Sequence, residues 1–202
     1  MKHSPYLGRV QRTLIVTIGE LATQSGALFE TMMAQRQGPV GGTAVVPLVN
    51  TETNDLNSAV TAALTRISPP DLGARLAQTG WQLDETSSVR LLLLIAVEPE
   101  TDDTILEYVQ LIAGQVYRHL GIDPFVLPVW LVGEASDACP FSRLQEAVPL
   151  PLGSFVLSLC NQDGLRLPDE ASLQAVAAEL LWCLLTTPLL SLLEQRQVHV
   201  SN

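Results

Sequence analysis

The chain predicts an α/β domain of three layers: a mostly parallel sheet of five or six strands with helices on both faces, Rossmann-like in arrangement. Three observations carry that expectation. Five short, nearly continuous apolar runs are bounded by Gly, Asn or Pro, as in strands covered on both faces. Amphipathic helical patterns stand between those runs. The composition is 47% hydrophobic, 16% charged and only 5% aromatic, which suits an aliphatic core. The 202 residues correspond to one domain over 1–194, with a loose tail at 195–202.

The first strand is Thr13 to Ile18, closed by Gly19. A helix follows, marked by Leu21, Leu28 and Met32 and by Ala22, Phe29 and Met33. Gly38-Pro39-Val40-Gly41-Gly42 is a loop into the second strand, Thr43 to Val49, which ends at Asn50. The second helix runs from Asp55 to Ile67 with Leu56, Val60, Ala63 and Leu64 on one side. It stops before Pro69-Pro70, which cannot continue it. Val89 to Val97 is the third strand. Thr104-Ile105-Leu106-Glu107 is a capping box opening a helix whose stripe is Leu106, Val109, Ala113, Val116 and Leu120. Gly121 ends that helix and Pro124 confirms the stop. The fourth strand is Phe125 to Val132 and the fifth is Ser154 to Cys160. Between them, Ser136 to Pro151 is an irregular connection with one short helix around 142–147. The last helix places Leu173, Val176, Ala177, Leu180, Leu181 and Leu184 on a wide core-facing stripe and bends or stops near Pro188. Leu189-Leu190-Ser191-Leu192-Leu193 is expected to fold back on the sheet; the alternative is an exposed apolar patch that seeks a partner or a second copy.

Charge and motif content exclude several function classes. Lys and Arg total 11 against 21 Asp and Glu, for a net charge of −10. The basic residues are scattered, so there is no face for a phosphate backbone, and nucleic-acid binding is not expected. Cys139, Cys160 and Cys183 are far apart with no CxxC pair, so neither a zinc site nor a disulfide framework is indicated; Cys160 and Cys183 read as core thiols of a cytoplasmic protein. The N-terminus leads into no signal-peptide stretch, and Leu180 to Leu193, broken at Thr186, Thr187 and Pro188, is too short to insert in a bilayer. There is no G-x-S-x-G elbow. His3 and His199 fall near the ends and His119 in the last turn of a helix, where a cation suits the dipole. Trp81, Trp130 and Trp182 read as core or core-edge anchors.

In an open parallel sheet, ligands bind beyond the carboxyl ends of the strands. There, Gly19-Glu20-Leu21-Ala22-Thr23-Gln24-Ser25-Gly26 keeps one glycine of the G-x-G-x-x-G pattern, and Glu20 puts a negative charge where a phosphate would rest. Gly19, Glu20 and Asn50, together with Asn161 and Asp163 of Asn161-Gln162-Asp163-Gly164, are the ligand-binding candidates; turn chemistry is the plainer reading of that last stretch. Glu98, Asp102 and Asp103, in the loop Glu98-Pro99-Glu100-Thr101-Asp102-Asp103, suit a helix N-terminus. They are also the metal candidates, because Glu20, Glu52, Asp55, Glu98, Asp102, Glu134, Asp137 and Asp163 all follow strands and could bring oxygen ligands for Mg²⁺ or Ca²⁺ to one edge, although no loop has EF-hand spacing.

The order of elements resembles the N-terminal half of the tubulin/FtsZ superfamily, and the bacterial tubulin-like proteins most of all. Arg12-Thr13-Leu14-Ile15-Val16-Thr17-Ile18-Gly19 is similar to that family's first strand and glycine turn. The stretch Phe155-Val156-Leu157-Ser158-Leu159-Cys160-Asn161-Gln162-Asp163-Gly164 is similar to the strand and Asn-containing turn before its central helix, which corresponds to 169–186. The family's first loop is glycine-rich, whereas here it is Gly19-Glu20-Leu21-Ala22; its G-G-G-T-G-S loop is replaced by Glu98-Pro99-Glu100-Thr101-Asp102. The resemblance therefore implies a degenerate, half-length relative that lacks the backbone N–H cradle for phosphates, with GTP binding disfavoured and no GTPase activity. The expected function is a non-catalytic interaction or regulatory module with a protein partner or homo-oligomer. A nucleotide or small-ligand binder, and less readily a divalent-metal-assisted hydrolase, are the alternatives.

Overall fold

A computed structural model describes residues 8–36, 38, 40–48, 53–84, 89–97, 104–121, 123–133, 154–160 and 166–192. The apolar runs become the strands β2 (Thr13–Ile18), β3 (Thr43–Leu48), β5 (Arg90–Ala96), β6 (Phe125–Val132) and β7 (Phe155–Ser158). They form a five-stranded sheet in the order β3-β2-β5-β6-β7, and every pairing in it is parallel. Parallel neighbours need crossovers, and helices supply them: α1 (Glu20–Gln35), α2 (Thr53–Arg66), α3 (Leu72–Gln78) and α4 (Thr104–Leu120); α5 (Glu170–Thr186) follows the last strand.

Alternation along each strand divides the core in two. On one face Leu14, Val16, Leu91, Leu93, Ile95, Trp130 and Val132 pack with Leu56, Val60 and Leu64 of α2 and Ile105, Val109, Ile112 and Val116 of α4. On the other face Ile15, Leu92, Leu94, Leu127, Val129 and Leu131 pack with Phe29 and Met33 of α1 and Leu181, Leu184 and Leu185 of α5. Each fully buried Leu or Ile contributes about 1.5–3 kcal/mol relative to an exposed one, so the two-sided strands carry much of the stability. This is the three-layer α/β sandwich expected from the runs.

Both prolines within strands are placed where the sheet does not need their missing N–H. Pro47 lies in β3, an edge strand paired only with β2. In β6, the Phe125 N–H bonds to Val89 and the Leu131 carbonyl accepts from Val97, so odd-numbered residues face β5 and Pro128 faces the β7 side. The β7 pairing begins one residue later, at Val129 opposite Phe155.

Helix boundaries follow local chemistry. Asp169 N-caps α5, accepting from the Ser172 N–H at 2.8 Å and the Ser172 hydroxyl at 2.7 Å. Gly121 closes α4 at φ 68 with its N–H on the Tyr117 carbonyl. Gly26, mid-helix in α1, lets the helix approach the sheet: a Cβ there would lie 2.8 Å from Thr17 Cγ2 and 3.2 Å from Val45 Cγ1.

Several expectations need correction. A second sheet of two parallel strands, β1 (Gly8–Val10) and β4 (Trp81–Leu83), pairs Gly8 with Trp81 and, with α3, encloses Val10, Leu72, Leu76 and Trp81. Three-residue strands are too short to show a period. The loop at 38–42 contains a 3-10 turn, Val40–Gly42. The buried face of α5 is Leu173, Ala177, Ala178, Leu181, Leu184 and Leu185, and Val176 is exposed, as is Leu28 of α1. An almost wholly apolar helix has too weak a pattern to fix its own rotation. In α4 the buried seam among the described side chains is Ile105, Val109, Ile112 and Val116; Leu120 packs against the same cluster, Ala113 is only half-buried, and the Leu106 side chain lies outside the described set. Cys160 and Cys183 are exposed rather than core thiols. Leu190 is fully buried and Leu189 packs against the same cluster, so this segment folds back, leaving Leu192 outside. Trp81 and Trp130 are buried, and half-buried Trp182 lies 5.4 Å beneath the Arg36 guanidinium. No helix among the described residues is long and apolar enough to cross a membrane. Ser136 to Pro151 and the tail at 195–202 lie outside the described residues.

Candidate functional site

The strand order reverses at β2: the chain leaves it toward β3 and then crosses back to place β5 on its other side. A doubly wound sheet opens a crevice at such a switch point, beyond the carboxyl ends of the strands. A cavity of about 270 Å³ lies there, lined by Glu20, Leu21, Gln24, Ala96, Val97, Gly133 and Glu170. These residues are the start of α1, the ends of β5 and β6, and the start of α5.

The turn into α1 is built by Gly19. Its φ of 87 and ψ of 166 belong to a region essentially reserved for glycine. Its carbonyl accepts from the Thr23 N–H at 3.0 Å and from the Thr23 hydroxyl at 2.9 Å. The Thr23 hydroxyl also lies 3.3 Å from that of Thr17, on buried β2, which ties the first turn of α1 to the end of the strand.

The positive end of α1 faces a crevice where, in a nucleotide-binding member of this architecture, a phosphate would sit. Here the helix brings its own anion, Glu20, as its first residue. Gln24, one turn on, donates to Glu20 Oε1 at 3.0 Å, and Gln174 of α5 donates to Gln24 Oε1 at 2.6 Å. This chain of side chains ties the first turns of α1 to α5, and Glu20 and Gln24 of it line one wall of the cavity. Across from it, the start of α5 carries Asp169 as its N-cap and Glu170 in its first turn. Ser172, by its hydroxyl and then its backbone N–H, holds the Asp169 carboxyl below the usual carboxylate range. A Cβ on residue 133 would lie 2.7 Å from Glu170 Oε1, so the Glu170 carboxylate rests directly over Gly133 at the end of β6.

Both helix starts at the crevice are therefore already supplied with carboxylates. A unit charge 4 Å from another costs about 1 kcal/mol in water and about 4 kcal/mol at an effective dielectric constant of 20, so an entering phosphate would be opposed by each of them. Behind this site, α1 and α5 are clamped together: the Arg36 guanidinium donates to both Glu179 carboxylate oxygens, which holds the Glu179 carboxyl low and Arg36 high.

Of the candidates read from the sequence, Gly19 and Glu20 are at the crevice. Asn50, Asn161 and Asp163, and the metal candidates Glu98, Asp102 and Asp103, lie outside the described residues. Among the described residues no group of three or more His, Cys, Asp or Glu could hold a metal ion. Sequence reasoning missed Gln24, Gln174 and Glu170. The first had a signal, the i, i+4 spacing from Glu20 that lets the two side chains meet on a helix. The other two needed the packing of α5 on α1, which no local pattern gives. No family model matches the chain, nor does any curated protein or solved structure.

Proposed function

We propose that this chain is a non-catalytic interaction or regulatory module of the cytoplasm, built on a nucleotide-binding type of α/β scaffold whose phosphate position is walled by its own carboxylates. The observation that carries this reading is the pair of carboxylates, Glu20 and Glu170, on the two helix starts that line the switch-point cavity. A nucleotide site at this place would need backbone N–H groups open to an anion, and glycines to let it approach. The first loop keeps Gly19 alone, used to make the turn, and the Glu20 carboxylate in the cavity wall is held by Gln24, which Gln174 of α5 holds in turn. In this reading the tubulin/FtsZ resemblance of the first strand and of the stretch 155–164 reflects descent from a GTPase domain that lost its phosphate loops, and its remaining role is to present surfaces to a protein partner or to a second copy.

The test is thermal unfolding of the purified chain with GTP, ATP and Mg²⁺. No rise in Tm is expected up to about millimolar nucleotide. A saturable, sub-millimolar rise would replace this reading with that of a nucleotide-binding protein, since a ligand held only by the folded state stabilises it by mass action.

A further inference from the structure

A second hollow lies at the opposite, amino-terminal end of the strands, beyond edge strand β3, and its argument does not rest on the reading above. It has a volume of about 420 Å³ and is lined by Glu30, Gly41, Thr43, Arg66, Arg75, Leu76, Gln78 and Thr79. Four separate elements meet there. Thr43 opens β3, Arg66 ends α2, Arg75 lies on α3, and Glu30 lies on α1.

We propose that this hollow binds a small molecule bearing a carboxylate or phosphate group, held between Arg66 and Arg75. Only 11 Lys and Arg exist in a chain of net charge −10, yet two of them line one cavity. Among the described residues neither guanidinium meets a carboxylate within 4 Å, while Arg36 engages Glu179 and Arg90 donates to Ser191 at 3.0 Å. A planar guanidinium suits an oxyanion, which it can meet with two parallel hydrogen bonds.

Thr43 supplies an independent sign of a ligand. The residue is 9% exposed, and its Oγ1 is buried with no hydrogen-bond partner among the described residues. Buried hydroxyls are ordinarily satisfied, so an unmet one on a residue that lines a cavity marks a place where a bound oxyanion, reached by a small side-chain shift, would supply the missing partner. The Thr79 hydroxyl is already committed to the Leu76 carbonyl at 2.9 Å. Glu30 offsets one of the two positive charges, which leaves the cavity suited to a small anion of low charge rather than to a polyphosphate.

Inorganic phosphate and succinate, titrated at constant ionic strength, are the probes, with Tm as the readout. Arg66→Gln, Arg75→Gln and their double variant are compared with Arg118→Gln, an exposed arginine on α4. A saturable rise in Tm is expected with at least one probe in the wild-type chain and in Arg118→Gln. Its midpoint should weaken by roughly tenfold or more for each hollow arginine removed. Saturation by phosphate alone assigns a phosphoryl group, and saturation by succinate alone a carboxylate. A nucleotide effect that disappears in the double variant belongs to this hollow and not to the crevice. Thr43→Val should raise the Tm of the unliganded chain and shrink the response to the probe, a pairing that a merely structural hydroxyl would not give. No saturable response to either probe, an equal response in the double variant, or a lower unliganded Tm for Thr43→Val would overturn the proposal.

Discussion

Substituting the same residue for the same residue in two helices should move stability in opposite directions. In an ordinary helix interior Gly→Ala stabilises by about 1 kcal/mol, because Ala has less backbone freedom to lose. Gly114 of α4 meets that condition: a Cβ there finds no heavy atom within 4 Å. Gly26 of α1 does not. Its Cβ would sit 2.8 Å from Thr17 Cγ2 and 3.2 Å from Val45 Cγ1. Both are methyls of β-branched residues, stiff at χ1, and the nearer one belongs to Thr17, fully buried on the inner strand β2. Overpacking of this kind costs about 1–3 kcal/mol. Set against the helical gain, Gly26→Ala should lose about 1 kcal/mol net and Gly114→Ala should gain about the same. At about 2–4 °C per kcal/mol for a domain of this size, the two variants should melt about 4–8 °C apart, on either side of wild type. Chemical denaturation with unchanged slope would confirm that the native state is the one affected. A Gly26→Ala variant that melts above wild type would refute the reasoning, because α1 would then not be seated on β2 and β3 at this distance, and the position of Glu20 at the crevice would lose its support.

Three further outcomes follow from the same geometry. Gly19→Ala should destabilise by about 1–3 kcal/mol in urea unfolding, since φ 87 with ψ 166 is open essentially to glycine alone. Phe29→Ala, at a fully buried site between α1 and the sheet, should cost about 3–5 kcal/mol, read by the same assay. The Asp169 carboxyl is held below its ordinary value in the fold, so on acidification the unfolded chain takes up the proton first. Its contribution is intact above the ordinary carboxylate range and is lost as pH falls through the lower, folded value. Melting followed downward from about pH 6 should therefore decline below about pH 4, and less steeply in Asp169→Asn, which caps without titrating.

The parts of this fold that were legible in the sequence are those whose signal is local. Leu91 to Ile95, inside a short apolar run, reads as a strand buried on both faces, and Gly121 with Pro124 reads as a helix end. What was not legible depended on long-range packing. Gly8–Val10 and Trp81–Leu83 pair across the chain, and neither is long enough to declare a period. Val176 looks as core-facing as Leu173 until α5 is laid on α1, which exposes Val176 and buries Ala178 and Leu185, two positions outside the stripe. At the site, Glu20 was visible because it follows a strand and a glycine. Glu170 and Gln24 became members only when two helix starts were brought to one crevice, and Gln174 joined through its bond to Gln24.

The central claim is that the switch-point crevice does not receive a nucleotide phosphate. Amide NMR of the chain titrated with GTP and Mg²⁺ tests it at the atoms concerned. The amides of Gly19, Glu20, Leu21, Val97 and Gly133 should keep their positions up to about millimolar GTP. Saturable movement of those amides at sub-millimolar nucleotide would contradict the account.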